Sequence, residues 1–557
     1  MTRLLCCLLA AVPGAFADTI LFNEVMYHPA PAVPEDPGQE WVELYNAGTN
    51  DVELAGWQID SGVSFTFPSN TTLRVGGYLV VAASRTNFLA HYPSVTNVVG
   101  DWEGKLSNSG EQLRLRNAQG DVVDSLNYAD GGEWAVRQRV PDATAGLPSW
   151  DWLALADGSG RSMELIQPLL PNTTGQNWAP SQGAGGTPGF ANSTRQNNVA
   201  PLIVDASHFP AVPKPGQTVA VTARLVDEQP ASITGLVYYR NATPTSPGAF
   251  ASIAMFDDGA HEDGLAGDGL YGAVLPAQTN GTVIEFYIEA SDGVRKRTYP
   301  APALVDGNPT QTANALYQVD SSEYTGSQQL LRAVLTGAER QTLLTINPNS
   351  DAEMNATIVS IDSTGTELRY SSGIRIRGAG SRSRPTKNYR VNFPSDRPWN
   401  GLTAINLNSQ YPHAQMVGSV VAQKGGLPAA NARFVQLRVN GVNLVREGPP
   451  DAGDGASWGT YVLVEPINNE WAGIHFPTDP NGNVYRASSG GHQADLSYQG
   501  QNPVTYQNRG YSKTSNQSEN DWSDLINLVD VLNNTLDPQY IAAVQNRMNV
   551  TEWMTYF

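Results

Sequence analysis

Apolar residues in this chain come mostly in short runs that alternate with polar ones, the two-residue period of a half-buried strand, and Gly, Asn, Asp and Pro break the runs. Early in the chain the runs are Ile20-Leu-Phe-Asn-Glu-Val25, Trp41-Val-Glu-Leu-Tyr45, Tyr78-Leu-Val-Val-Ala82 and Gln112-Leu-Arg-Leu-Arg116. Their spacing predicts an all-β sandwich over residues 18–193. A polar linker follows at 194–200. Thr218-Val-Ala-Val-Thr222, Gly235-Leu-Val-Tyr-Tyr239 and Val283-Ile-Glu-Phe-Tyr-Ile288 then predict a second all-β sandwich over 201–320. From 325 to 557 helical spacing joins the strand runs. Met416, Val417, Val420 and Val421 lie on one helix face ahead of a Gly425-Gly426 stop, and Trp522, Leu525, Ile526 and Val529 form the stripe of a helix over 521–532. Asp537-Pro538 supplies a cap and a first-turn proline for a helix over 539–548. Strands mixed with helices predict an α+β domain.

At 557 residues the chain exceeds one core, so length alone predicts three or four domains. The formal charge of −19, with no Lys/Arg-rich block, argues against a nucleic-acid partner, which needs a basic footprint. The N-terminus reads as an export signal over residues 1–17: Arg3, an apolar run at 4–12, Pro13-Gly14, then Ala15-Phe-Ala17 before Asp18. Both cysteines, Cys6 and Cys7, lie inside it, so the mature chain has no disulfide and each domain relies on its own core. No later apolar run is long enough for a transmembrane helix. A secreted or cell-surface bacterial protein is the expectation.

The richest chemistry lies in Gly373-Ile-Arg-Ile-Arg-Gly-Ala-Gly-Ser-Arg-Ser-Arg-Pro-Thr-Lys387-Asn-Tyr-Arg-Val-Asn-Phe393. Arg375 and Arg377 alternate with Ile374 and Ile376 and so point away from the apolar face. Lys387 shares its parity with Tyr389, Val391 and Phe393 and leans toward the apolar side. An inward lysine beside a Gly/Ser turn suggests an anion held in a cleft.

Two acidic groups have competing readings. Glu24, Glu40 and Glu43 resemble a catalytic carboxylate set, but acidic residues on the wet face of antiparallel strands are ordinary, and that is the reading adopted. In the loop Phe256-Asp-Asp-Gly-Ala-His-Glu-Asp-Gly-Leu-Ala-Gly-Asp-Gly-Leu-Tyr271, Asp257, Asp258, Asp263 and Asp268 offer hard oxygens suited to calcium. The same residues serve equally as caps for local amides, and both readings stay open. Other motifs fail on context. Gly455-Ala-Ser457-Trp-Gly459 lacks the strand and helix that a nucleophile elbow needs, Gly378-Ala-Gly380 lacks the Gly-Lys-Ser/Thr of a phosphate loop, and the seven histidines are dispersed.

Three resemblances follow from these residues. The order Asn23-Glu24-Val-Met-Tyr27, Glu40-Trp-Val-Glu-Leu-Tyr-Asn46, Leu54-Ala-Gly-Trp57, Leu106-Ser-Asn-Ser-Gly-Glu111 and Gly120-Asp-Val-Val-Asp124 resembles the bacterial lamin-tail domain, which implies an immunoglobulin-like sandwich for adhesion or scaffolding. Asn177-Trp178 and Gly186-Thr-Pro-Gly189 resemble the tail that closes such modules. The Asp/Gly loop is similar to one in bacterial immunoglobulin-like modules. Gly373-Ile-Arg-Ile-Arg-Gly378, Lys387-Asn-Tyr-Arg-Val-Asn-Phe393, Ile405-Asn-Leu-Asn-Ser409, Val435-Gln-Leu-Arg-Val-Asn-Gly441 and Gly459-Thr-Tyr-Val-Leu-Val-Glu465 resemble the first half of the spore-coat protein H (CotH) kinase family, an atypical kinase-like group. An insertion from Val442 to Trp458 departs from that pattern.

The resemblance implies two all-β immunoglobulin-like sandwiches followed by an α+β atypical kinase-like domain, binding ATP with Mg and phosphorylating an extracellular or envelope protein. Phosphoryl transfer needs positive groups on the phosphates and a carboxylate to steady the lysine. Lys387 fits the first role. Glu465 shares parity with Tyr461 and Leu463 and fits the second, since a buried lysine and glutamate would each be costly alone. Arg375, Arg377 and the Gly378 to Ser381 turn are the further phosphate candidates. The metal-holding and catalytic carboxylates are expected beyond Phe557, past a helix starting at Asn549 whose Trp553, Tyr556 and Phe557 form an apolar stripe. The competing reading is a non-catalytic adhesion or scaffold protein with a kinase-like fold.

Overall fold

The computed structural model describes residues 20–29, 35–378, 380–383, 386–443, 460–488, 494–517, 519–551 and 554. The export signal, the inserted loop from residue 444 with Ser457, and the Trp553, Tyr556 and Phe557 stripe lie outside the described residues. The chain forms two compact units, one from residues 1–30, 36–128 and 155–197, the other from 31–35, 129–154 and 198–557.

In the first unit a sheet runs in the order Trp178–Pro180, Met163–Leu165, Ile20–Met26, Trp41–Asn46, Tyr78–Ala82, Val98–Gly100, and a smaller sheet joins Val122–Ala129, Gly110–Arg116, Gln58–Ile59 and Phe65–Thr66. Ile20–Met26 is buried at every position, with a bulge between Phe22 and Glu24, so its polar residues face protein rather than water.

The second unit opens its own sandwich with Leu202–Phe209, Val219–Val226 and Leu270–Leu275 in one sheet. The other sheet holds Ala251–Met255, Thr234–Asn241, Val283–Ser291 and Lys296–Tyr299, with Ala315–Gln318 also paired to Val283–Ser291. Alternate residues such as Val221, Ala223, Val237, Phe286 and Ile288 fill the core. A hairpin of Val136–Pro141 and Pro148–Leu153 belongs to this unit, not to the first. It pairs Gln138 with Leu304 in parallel, buries Trp150 beside Ala303, and joins Arg137 to Glu353 over 3.3 Å.

Seven strands of the third region close on themselves. They are β1 (Gln329–Val334), β2 (Met354–Asp362), β3 (Gly365–Arg377), β4 (Asn388–Asn392), β5 (Ala404–Asn408), β6 (Ala432–Val439) and β7 (Tyr461–Val464). Their order is β1-β2-β3-β4-β5-β7-β6, antiparallel throughout, and β6 returns to pair with β1 in parallel. Closure leaves no open edge. Inward residues such as Ile374, Ile376, Tyr389, Val391, Ile405, Leu407 and Leu463 form the core.

Helices come after and beside this barrel. The chain as a whole is mostly β, while this region sets helices beside a closed sheet. Helix α1 (Pro412–Lys424) packs on β6 and β7 and ends where Gly426 takes a φ of 83°. Its predicted stripe is not a buried one: Val417 and Val421 are 60% and 64% exposed. Helix α2 (Asn469–His475) is capped by Asn468. Helix α3 (Ser523–Asn534) buries the predicted Leu525, Ile526 and Val529 against Trp522, Tyr506 and Tyr511. The last predicted helix is shorter, Tyr540–Gln545, and starts after Gln539, so Asp537 does not cap it.

Candidate functional site

Strand alternation sends Ile374 and Ile376 into the barrel and Arg375 and Arg377 to its outer face, as predicted. Register adds a second row. Arg375 lies opposite Arg390, Arg377 opposite Asn388, and Arg390 opposite Asn406, so β3, β4 and β5 carry one polar strip. The Arg377 guanidinium donates to Asn408 Oδ1 at 2.5 Å, and Arg390 Nε donates to Asn392 Oδ1 at 2.8 Å. Arg375 and Arg382 both bind one oxygen of Asp351. Burial works against ionisation of Asp351, yet its bonds from Arg382 and Thr144 and the charge of Arg375 hold its carboxyl below the usual range.

The strip is rich in positive charge. Burial, then the charges of Arg390, Arg375, Arg486 and Arg382, push the Arg377 pKa down to about 10. Arg390 is lowered by burial and by Arg375. Guanidinium groups crowded this way favour a bound anion. The parity rule that selected Arg375 and Arg377 also selects Arg390, which alternates with Tyr389 and Val391. No pattern in the sequence flags Arg486.

Lys387 directly precedes β4 on the predicted parity and is half-buried, which lowers its pKa. Its Nζ donates to the Arg382 carbonyl at 2.7 Å, so it steadies the turn rather than meeting a carboxylate. Gly378 holds a φ of 113°, and a Cβ there would come 2.1 Å from Ser381 Oγ. The Gly378 carbonyl accepts from Arg382 Nε, and Ser381 Oγ accepts from Asn388 Nδ2 at 3.2 Å.

The expected pairing of Lys387 with Glu465 is not formed. Glu465 is buried, with Oε2 accepting from the Asn431 N–H at 2.9 Å and lying 3.0 Å from His475 Nε2. The reason is register. Tyr389 pairs with Leu407 and Leu407 with Leu463, so Lys387 lies level with Tyr461, whose hydroxyl donates to its carbonyl at 3.3 Å. Glu465 is four residues further along, roughly 13 Å at the rise of a strand.

Mg does not fit beside the strip among the described residues. Asp351 serves two arginines, Glu353 pairs with Arg137 and accepts from Asn392, and Glu470 accepts from Thr403.

In the Asp/Gly loop the carboxylates face backbone amides. Asp263 accepts from Asp258, Gly259 and His261 N–H at 2.6, 2.8 and 2.7 Å. Asp257 accepts from Gly267 and Gly269 at 2.7 and 2.9 Å, and Asp268 accepts from Leu270 at 2.9 Å. Asp258, His261 and Asp263 nevertheless lie close enough together to hold a metal ion. This geometry favours the capping reading.

The acidic residues of the first unit are not on a wet face. Glu24, Glu43 and Glu164 are 0% exposed and Glu40 is 2% exposed. Glu24 accepts from the Thr187 N–H at 2.8 Å, Glu43 from Gly189 at 2.5 Å, and Glu164 from Thr194 at 2.8 Å. They clasp the closing tail to the sheet.

Residues 374–557 match the family model described as CotH kinase protein. The third region carries a CotH kinase domain. Residues 15–130 match the Lamin Tail Domain and residues 213–288 the conditioned medium factor second Ig-like domain. The CotH match begins inside β3, so it takes in Arg375, Arg377, Lys387, Arg390, Glu465 and Arg486 but not β1 or β2. No curated protein matches the chain. Among solved structures, three N-terminal domains of the bacteriophage RB49 Highly Immunogenic Outer Capsid protein (Hoc) align at 9% identity over 51% of this chain and 94% of that one. The TM-score of 0.10 is too low to bear on the fold.

Proposed function

We propose that this is an exported modular protein whose CotH domain grips the polyphosphate of ATP and passes phosphate to an extracellular or envelope protein, while the two β modules serve adhesion or scaffolding. The arginine strip carries this reading: Arg375, Arg377 and Arg390 share one outer face, and Asp351 is the carboxylate bound there to Arg375 and Arg382. Fixed guanidinium groups suit phosphate oxygens, and in phosphoryl transfer positioning and charge do most of the work. Export rests on the N-terminal signal pattern, and no helix among the described residues is long and apolar enough to cross a membrane.

A second reading, a scaffold without turnover, draws on Glu465 being tied to Asn431 and His475 instead of Lys387. Calorimetry with ATP on the full chain tests the grip. The expected result is binding that Arg377→Ala weakens at least about tenfold, the effect of one charge-assisted hydrogen bond; equal affinity would remove the strip from the site. Transfer of label from ATP to protein then separates the kinase from the scaffold.

A further inference from the structure

The hairpin of Val136–Pro141 and Pro148–Leu153 lies outside the three stretches that match family models, 15–130, 213–288 and 374–557, and so does the segment at 350–353 that it grips. The grip is built from buried polar groups, among them Arg137, Asp142, Ser149 and Glu353. In the turn, Asp142 accepts from the Thr144, Ala145 and Leu147 N–H groups at 3.0, 2.9 and 2.7 Å and from the Asp351 N–H at 3.2 Å. Ser149 Oγ accepts from the Glu353 N–H at 2.9 Å, and the Trp150 N–H donates to the Glu353 carbonyl at 3.1 Å. Two relays run from here to the arginine strip. In the first, Thr144 Oγ1 donates to Asp351 Oδ2 at 2.8 Å, and Asp351 Oδ1 takes Arg375 and Arg382. In the second, Arg137 Nη2 lies 3.3 Å from Glu353 Oε1, Glu353 Oε2 accepts from Asn392 Nδ2, and Asn392 Oδ1 accepts from Arg390 Nε at 2.8 Å. Arg375 and Arg390 lie opposite each other on β3 and β4, and each is therefore pinned by a chain of contacts that ends in the hairpin. Arg375 is held at Nη1 and Arg390 at Nε, and their other N–H groups have no partner among the described residues.

We propose that the hairpin is a working part of the anion site: through Asp351 and Glu353 it fixes Arg375 and Arg390 so that their remaining N–H donors meet phosphate oxygens together. This rests on the strip being the phosphate site. Thr144 and Arg137 are then positioning residues, each acting through an acid. A loose arginine gives up rotamer freedom when it takes an anion, whereas one already pinned gives up less, and the difference appears as affinity. One carboxylate shared by Arg375 and Arg382 leaves that cluster a net cation, so the pinning does not cancel its attraction for phosphate.

The test measures ATP binding to the full chain by calorimetry, with Thr144→Val, Thr144→Ser, Asp351→Ala, the double variant of Thr144→Val with Asp351→Ala, and Arg377→Ala. Thr144 is exposed, and valine keeps its shape while removing the hydroxyl, so the fold should be undisturbed. The expected result is a loss of about threefold to tenfold in affinity in Thr144→Val, the effect of one hydrogen bond, recovered in Thr144→Ser. Added to Asp351→Ala, Thr144→Val should cost nothing further, because the two residues act in one relay. An equal loss with and without Asp351 would show that Thr144 works by another route and would overturn the relay, as would a loss that serine does not recover. If Thr144→Val binds ATP like the parent while Arg377→Ala does not, the hairpin is no part of the site and the strip stands. If neither changes binding, the strip itself fails and the hairpin's role with it.

Discussion

Glu24 and Glu164 share one hydroxyl: Thr187 Oγ1 lies 3.2 Å from Glu24 Oε2 and 2.9 Å from Glu164 Oε1. One hydroxyl has one proton to donate, so two ionised carboxylates are poorly served there. Burial first, with the Glu164 charge adding, pushes Glu24 up from 4.5 to about 8, and Glu43 is raised by burial and by Glu24. A carboxyl raised in this way binds its proton more tightly folded than unfolded. Its stabilising contribution is whole below pH 4.5 and is lost as pH climbs through about 8. Glu24→Gln mimics the protonated form. Thermal unfolding of the first unit should therefore show the variant gaining on the parent as pH rises from 4.5 toward 8. A difference that stays constant with pH would show that Glu24 does not hold that proton.

The clasp also fixes what the tail can tolerate. Gly186 has a φ of 67°, and a Cβ there would come 2.2 Å from Glu24 Oε1 and 2.5 Å from Ser162 Oγ. Both atoms are buried and hydrogen-bonded to each other, so neither can retreat cheaply. Gly186→Ala should cost about 1–3 kcal/mol or more in denaturant unfolding, from backbone strain plus the broken contacts. Gly183→Ala is the control: nothing lies within 4 Å of its added methyl, and a change within about 0.5 kcal/mol is expected. Equal effects at the two positions would mean the tail is not clasped.

Because Lys387 and Glu465 have separate partners, their effects should be independent. Removing the buried Glu465 takes the acceptor from the Asn431 N–H and the partner from the partly buried His475, so Glu465→Ala should destabilise by about 1–3 kcal/mol. Lys387→Ala loses a bond to the Arg382 carbonyl. In a double-mutant cycle the two should add within about 0.5 kcal/mol. A coupling clearly larger than that would restore the ion pair predicted from parity.

These residues show where parity can be trusted. It placed Ile374, Ile376, Tyr389 and Val391 inside and Arg375 and Arg377 outside, because a strand's two faces follow from the sequence of that strand alone. It failed for Glu465, because the separation from Lys387 depends on how β4, β5 and β7 are offset, and β7 ends at Val464. Barrel closure was illegible for a related reason: the parallel return of β6 to β1 joins residues about a hundred positions apart, as in Leu331 with Leu437. The buried glutamates were misjudged because an acidic residue on a strand reads as solvated unless its distant donors are known. Thr187, Gly189 and Thr194 come back to the sheet from a tail at the far end of the module.

Asp263 decides between the two readings of the Asp/Gly loop. It is 0% exposed, and its oxygens accept three backbone N–H groups at 2.6 to 2.8 Å. Burial opposes its ionisation, yet the bonds from Gly259 and His261 hold its carboxyl below 3.8, as expected of a carboxylate that organises a turn. Removing it strips three amides of their acceptor at once. Asp263→Ala should lower stability by about 2–3 kcal/mol, and by the same amount in calcium and in chelator, since the lost bonds involve no ion. The parent's thermal midpoint should likewise be unmoved by calcium. A midpoint that rises with calcium in the parent and not in Asp263→Ala would instead place an ion among these carboxylates, because a ligand bound to the folded state alone must stabilise it.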